Sequence, residues 1–92
     1  MSDDNQEFAS SEQVGLFRVW AMAPRDFENT PPQTASSVYG KLFPLGIYIE
    51  PWAILNYLKG KTPMPYDDFK KIEAAYMCES SADRDEVRRR YR

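Results

Sequence analysis

Histidine is absent from this 92-residue chain, and cysteine occurs only once, at Cys78. Histidine is the usual general base near neutral pH and the commonest metal ligand, so its absence removes the familiar serine and cysteine triads and the mixed zinc sites. One cysteine can make neither an intrachain disulfide nor a four-thiolate zinc site. We therefore expect no enzyme activity, no small-molecule substrate, no metal and no cofactor, but a chain that acts by binding another macromolecule.

Long apolar runs are missing as well. No run of apolar residues reaches the length that spans a bilayer, and residues 1–4 are polar and acidic, unlike a secretory signal. A single unpaired cysteine also fits a reducing compartment. These features predict a cytoplasmic protein with no membrane partner.

Positive charge is scarce over most of the chain, whose net charge is −2. Residues 1–35 hold six acids and two arginines, and residues 61–79 are also slightly acidic. Residues 36–60 have a net charge of +1, and residues 80–92 hold three acids and five arginines. A nucleic-acid binder usually presents a basic face, and by net charge only the C-terminus is clearly basic.

The residues that are present support one hydrophobic core. Hydrophobic residues make up 42% of the chain and aromatic residues 14%, which suits a single domain of this size. We predict a disordered polar leader over residues 1–10, a helical domain over residues 11–79, and a charged C-terminal helix or tail over residues 80–92. The expected fold is a mainly α, single-domain bundle of four to five short helices with a helix-turn-helix-like centre.

The first element is ambiguous between helix and strand. Ser10 and Gln13 have the spacing of a capping box, which favours a helix. Residues 14–22, however, also carry β-branched and aromatic side chains at a density typical of a strand. Helix is the preferred interpretation, and a strand remains the alternative.

Proline and glycine divide the rest of the chain into helices. The prolines of residues 24–33 predict a loop, and Thr34 is the expected N-cap of a helix over residues 34–43. Pro51 suits the first position of the next helix, and Gly60 suits its C-terminus. Pro65 opens a further helix, and a last helix covers residues 83–91, with Ser80 or Ser81 as its cap.

Residues 33–76 resemble the helix-turn-helix domain of phage repressors of the Cro/Xre-like type. The resemblance is carried by the helix of residues 50–59, the following Gly60-Lys61 and Met64-Pro65, and the apolar Phe69 and Ile72. It implies that residues 50–59 are a recognition helix with Ile54 and Leu58 as inward anchors. Residues 38–42 are similar to the first helix of the motif, but residues 43–49 make a longer turn than the family has.

The resemblance implies a small DNA-binding transcriptional regulator of phage or plasmid type that binds duplex DNA as a homodimer. Asn56 and Lys59 are the outward side chains best able to read bases. Lys41, Lys61 and Thr62 are candidates for phosphate contacts. Arg88, Arg89 and Arg90 are further candidates for contacts with phosphate or with an acidic partner, and the alternative is that they form a solvated helix end.

A second function, from a different class, is open at this point. Residues 43–52 are rich in aromatic and aliphatic side chains, which either close the core or form an exposed docking patch. Tyr48, Trp52 and Trp20 are the candidate docking residues. In that case the chain is a protein-binding inhibitor, antiactivator or adaptor on a repressor-like scaffold, and its partner is a host or regulatory protein.

Overall fold

The computed structural model describes residues 7–91 and consists of helices joined by short connections. Its five α-helices are α1 (Ser11–Trp20), α2 (Pro32–Leu42), α3 (Pro51–Lys59), α4 (Tyr66–Tyr76) and α5 (Ser81–Tyr91). Two short 3-10 turns, Phe27–Asn29 and Phe43–Leu45, lie between them. The described residues contain no β-strand, so the predicted mainly α, single-domain fold is confirmed.

The capping box predicted at the start of α1 is present and decides between helix and strand. The Ser10 hydroxyl accepts a hydrogen bond from the Gln13 N–H at 3.1 Å, and the Gln13 side chain accepts from the Ser10 N–H at 2.8 Å. Two otherwise unsatisfied donors are therefore paired at the helix terminus. Phe17 points inward from this helix and is fully buried.

Helix α2 begins two residues earlier than the sequence predicts. Its first residue is Pro32 and its N-cap is Pro31, so the assignment of Thr34 as the cap is wrong. Proline tolerates the first helical position because its missing N–H would be unsatisfied there in any case. Ala35, Val38 and Leu42 form the buried face of the helix.

The connection from α2 to α3 is long, as the sequence indicates. After the 3-10 turn Phe43–Leu45, Gly46 adopts a left-handed conformation (φ 79°), and the Ile47 N–H returns to the Leu42 carbonyl at 3.2 Å. Leu45, Ile47 and Ile49 are buried, whereas Gly46 and Tyr48 between them are exposed. Residues 43–52 are therefore neither wholly buried nor wholly exposed.

Helix α3 has the predicted bounds. Pro51 occupies its first position and Gly60 ends it in a left-handed conformation (φ 73°). Ile54 and Leu58, the predicted inward anchors, are both fully buried. Helix α3 makes its most extensive helix–helix contact with α2.

Helices α4 and α5 complete the core. Phe69, Ile72 and Ala75 are the buried residues of α4, which packs on α1 and α2. Helix α5 starts at Ser81, where the preceding Ser80 hydroxyl accepts from the Asp83 N–H at 3.2 Å. It packs against the Phe43–Leu45 turn and α4 through one buried residue, Val87.

The predicted leader is only partly within the described range. Residues 1–6 lie outside the described residues. Residues 7–9, expected to be disordered, instead run antiparallel to residues 64–66: the Ala9 N–H donates to the Met64 carbonyl at 2.9 Å and the Tyr66 N–H to the Glu7 carbonyl at 2.9 Å.

Within residues 7–91, no helix is both long enough and apolar enough to cross a membrane.

Candidate nucleic-acid interface

The candidate interface is centred on α3 and the residues that follow it. Ile54 and Leu58 point into the core, and Ala53, Leu55 and Tyr57 pack against it half-buried, so only part of the helix reaches the surface. Trp52, in the first turn, is 63% exposed, whereas Asn56 and Lys59 are half-buried. The candidate base-reading residues therefore lie at the edge of the helix rather than on a fully open face.

The left-handed Gly60 fixes the path of the chain after α3. Its N–H bonds to the Tyr57 carbonyl at 3.2 Å, and the next N–H, of Lys61, bonds to the Asn56 carbonyl at 2.9 Å. These bonds satisfy terminal carbonyls of the helix. They also leave Lys61 and Thr62, both candidates for phosphate contacts, exposed beside the end of the helix.

The segment that contains the motif is positively charged although the whole chain is acidic. From residue 31 to residue 65, the charged residues are three lysines and one glutamate: Lys41, Lys59, Lys61 and Glu50. Lys41 and Lys61 are exposed, and Glu50 is half-buried. Residues 31–65 thus carry a net charge of +2, which favours contact with a phosphate backbone, although the Phe27–Asn29 turn that packs on α3 contains Glu28.

Lys41 belongs to a second basic group, on the side of α5. Its ammonium nitrogen lies 5.2 Å from the centre of the Tyr76 ring. It lines a pocket of about 350 Å³ together with Arg84, Arg88 and Cys78. The structure therefore brings together Lys41 and Arg88, two sequence candidates, and adds Arg84, which the sequence reasoning missed although it precedes Arg88 by one helical turn.

The arginine cluster of α5 is partly neutralised by its own helix. Arg88 donates from Nε to the Pro44 carbonyl at 3.0 Å and pairs with Asp85 at 2.8 Å. Arg90 lies 3.7 Å from Glu86, and Arg89 is exposed. Exposed ion pairs of this kind contribute little to stability, but they reduce the charge offered to a partner.

The candidate docking residues fall into two environments. Tyr48 and Trp52 are each 63% exposed. Trp20 is instead half-buried, with its ring stacked 5.8 Å from Phe69 and 5.7 Å from Tyr76. Trp20 is therefore part of the core rather than of a docking surface.

Two aromatic residues that the sequence did not single out extend the exposed patch. Tyr39 packs against Phe43, with ring centres 5.6 Å apart, and against Tyr48 at 5.9 Å in an edge-on arrangement. Phe43 is 60% exposed. Tyr39, Phe43 and Tyr48 thus form one aromatic cluster on α2 and the α2–α3 connection.

Arg18 is a buried charged residue that holds α3 in place, and sequence reasoning missed it. Its guanidinium donates to the carbonyls of Leu58 and Pro24 and lies 3.7 Å from the centre of the Phe27 ring. Burial lowers the pKa of Arg18, and the charge of Asp26 opposes that shift. The Leu58 carbonyl is 40 residues away in sequence, so no local pattern could reveal the pair.

A second missed interaction ties α3 to α4. The Tyr57 hydroxyl and the Asp68 carboxylate are 2.7 Å apart. Burial raises the pKa of Tyr57, and the hydrogen bond and charge of Asp68 raise it further. Together with Arg18, this bond fixes the C-terminal half of α3, the half that carries Asn56 and Lys59.

Comparison of the chain with protein-family models, with characterised proteins and with solved structures gave no match. Its function is therefore inferred from the residues and their arrangement.

Proposed function

We propose that the chain is a small DNA-binding transcriptional regulator of phage or plasmid type, in which α2 and α3 act as a helix-turn-helix and α3 enters the major groove. One observation carries the proposal. Helix α3 has Trp52 exposed in its first turn and Asn56 and Lys59 half-buried at its edge, and it leads directly into the exposed Lys61 and Thr62 in a segment with excess positive charge. A helix with an accessible edge and a basic, exposed end suits the groove of duplex DNA.

The side chains divide by chemistry into base contacts and phosphate contacts. The carboxamide of Asn56 can both donate to and accept from an adenine edge, and Lys59 can donate to a guanine edge. Lys61 and Thr62 follow the helix and are suited to phosphate oxygens, which positions the protein without selecting a sequence. The Lys41, Arg84 and Arg88 pocket offers a second site for a phosphate.

Selection from a randomised duplex pool tests this division of roles. We expect the wild-type chain to enrich a recurring sequence and Asn56→Ala to lose the preference at one or two base pairs, which amounts to about 1–3 kcal/mol of discrimination. Lys61→Gln should weaken binding to all duplexes alike and leave the enriched sequence unchanged.

Lys70→Gln is the matched control, because Lys70 is an exposed lysine already paired with Glu73 at 2.9 Å on α4. It should bind duplex DNA as the wild type does. If no sequence is enriched, and if Lys61→Gln binds as well as Lys70→Gln, α3 and its basic end are not a DNA-reading element.

A second function, docking of a regulatory protein, is favoured by the aromatic cluster of Tyr39, Phe43 and Tyr48. The exposed Trp52 lies four residues after Tyr48 in the sequence. Exposed aromatic residues of this kind are typical of protein–protein hot spots. On this alternative, a specific partner that co-purifies with the chain is lost on Trp52→Ala or Tyr48→Ala. Retention of the partner by both variants would exclude this surface.

A further inference from the structure

The pocket between α2 and α5 is lined by three cations. Lys41 comes from α2, and Arg84 and Arg88 come from α5, where they lie one helical turn apart on the same side of the helix. The other residues of the described chain that line the pocket are all uncharged: Gly40, Pro44, Leu45, Ala75 and Cys78. Because the lining holds no carboxylate, its electrostatic potential favours an anion.

Two of the three cations have no anionic partner among residues 7–91. Neither Lys41 nor Arg84 forms an ion pair within that range. Arg88 is fixed at the pocket, since its Nε donates to the Pro44 carbonyl at 3.0 Å and it pairs with Asp85 at 2.8 Å. These contacts use only part of the N–H donors of the guanidinium, and the rest can bind a ligand.

The acidic residues near these arginines have other partners. The Asp83 carboxylate accepts a hydrogen bond from the Glu79 N–H at 3.2 Å, and Glu86 lies 3.7 Å from Arg90. Asp85, paired with Arg88, does not line the pocket. Three cations against this one carboxylate leave an excess of positive charge that matches a phosphomonoester, whose charge is about −1.5 to −2 at pH 7.

The size and floor of the pocket suit a small organic phosphate. Its volume of about 350 Å³ is near the lower end of the range for small-molecule sites, roughly 300–1,000 Å³. Gly40 leaves space at the pocket, because a Cβ atom there would meet no atom within 4 Å outside its own helix backbone and chain neighbours. Leu45 and Ala75 are buried and form an apolar floor. The Cys78 thiol is already engaged, since it donates to the Ala74 carbonyl at 3.0 Å.

Helix α5 is the element that such a ligand would hold in place. Its only buried residue is Val87, and it packs mainly against the Phe43–Leu45 turn and α4. An anion bound by Lys41 together with Arg84 and Arg88 links α5 to α2 through charge-assisted hydrogen bonds. It also relieves the mutual repulsion of the three cations.

We propose that this pocket binds the phosphate dianion of a small phosphomonoester, and that the bound phosphate fastens α5 to α2. The inference assigns a preferred ligand to the pocket already named as a second phosphate site. None of the lining residues belongs to α3 or to residues 60–62. The binding is measured without DNA, so its failure leaves the proposed role of α3 untouched.

Isothermal titration calorimetry of the full chain with glycerol 3-phosphate at constant ionic strength tests the site. We expect saturable one-to-one binding, with a dissociation constant raised at least about tenfold by Lys41→Gln or Arg84→Gln, because each removes a charge-assisted hydrogen bond. Arg89→Gln is the matched control, since Arg89 is an exposed arginine of α5 that does not line the pocket. It should bind as the wild type does.

A third variant tests the cavity without changing the charge. Gly40→Leu places a side chain where the pocket is open and should also raise the dissociation constant at least about tenfold. Circular dichroism and urea unfolding show whether each variant is folded. No saturable binding by the wild type overturns the proposal, and so does binding that is insensitive to both Arg84→Gln and Gly40→Leu.

Two further measurements distinguish the source of the phosphate and its effect on α5. Dimethyl phosphate, a monoanionic diester like the DNA backbone, should bind at least about tenfold more weakly than glycerol 3-phosphate. Equal binding of the two overturns the small ligand in favour of a nucleic-acid backbone. Glycerol 3-phosphate should slow amide hydrogen exchange in α5 of the wild type and of Arg89→Gln but not of Arg84→Gln. Unchanged exchange in the saturated wild type overturns the fastening of α5.

Discussion

Arg18 connects three segments that the sequence keeps far apart: α1, the loop at Pro24 and the end of α3. Replacement by methionine keeps most of the aliphatic stem but removes the donors, which leaves the Leu58 carbonyl buried without its partner. We expect Arg18→Met to lower the free energy of unfolding by about 2–4 kcal/mol in urea titrations. Arg89→Met, at an exposed position, should change it by no more than about 0.5 kcal/mol. Equal urea midpoints for the two variants would show that the buried guanidinium does not hold α3.

The ionisation of Tyr57 should make the free energy of unfolding depend on pH in the alkaline range. In the folded chain, burial raises the pKa of Tyr57 above its ordinary value of 10.0, and the hydrogen bond and charge of Asp68 raise it further. In the unfolded chain Tyr57 ionises near the ordinary value. The stabilisation is fully present below about pH 10 and is lost as the pH rises toward the folded-state pKa. We expect Tyr57→Phe to be less stable than the wild type by about 1–2 kcal/mol at neutral pH.

The same variant should show a shallower loss of stability above about pH 10. Burial also raises the pKa of Tyr76, so part of the alkaline slope remains in Tyr57→Phe. The measurement is the free energy of unfolding in urea from neutral to alkaline pH. Parallel pH profiles for the wild type and the variant would contradict the assignment.

Two glycines in neighbouring helices should respond in opposite directions to the same substitution. Gly60 ends α3 with φ 73°, so Gly60→Ala should destabilise the chain by about 1 kcal/mol through backbone strain. The added methyl group itself has room, since the nearest side-chain atom, Cδ2 of Phe27, is 3.6 Å away.

Gly40 lies inside α2, and a Cβ atom there would meet no atom within 4 Å outside its own helix backbone and chain neighbours. Gly40→Ala should therefore stabilise the chain by about 0.5–1 kcal/mol. The thermal unfolding midpoint of each variant shows whether its substitution stabilises or destabilises the chain. A destabilised Gly40→Ala would show that α2 does not have the regular helical backbone described here.

The helices could be predicted wherever the residues that begin or end them, such as caps, prolines and glycines, lie next to the helix in the sequence. The Ser10–Gln13 capping box predicts the start of α1, and Pro51 and Gly60 predict both ends of α3. That Ile54 and Leu58 point inward was implied by the resemblance to the phage-repressor motif. The predicted start of α2 was wrong because Pro31 and Pro32 were assigned to the loop, although proline is also a good first residue of a helix.

The candidate site was less predictable than the fold, because exposure depends on contacts between distant segments. In residues 43–52 the sequence showed an apolar run, but only the packing of α5 and the core decides that Leu45 is buried while Phe43 and Tyr48 are exposed. The buried Arg18 depends on a carbonyl 40 positions later. Asn56, Lys59, Lys61 and Thr62 could be chosen as candidates because they lie in or just after a helix whose bounds the sequence does define.

At the scale of the whole molecule, the uneven charge matters more than the net value of −2. Residues 1–35 hold six acids against two arginines, whereas the segment from 31 to 65 carries three lysines against one glutamate. An acidic protein whose basic segments are residues 31–65 and 80–92 is expected to approach DNA in a limited range of orientations, because only those segments are attracted to phosphates.

The salt dependence of binding to duplex DNA tests the proposed function most directly. If Lys41 and Lys61 each neutralise a phosphate, the logarithm of the binding constant of one chain should fall with the logarithm of salt concentration with a slope of about −2. Lys61→Gln should reduce the slope to about −1, and Lys70→Gln should leave it at the wild-type value. Absence of binding at low ionic strength, or a slope near zero, would contradict the assignment of this chain as a DNA-binding protein.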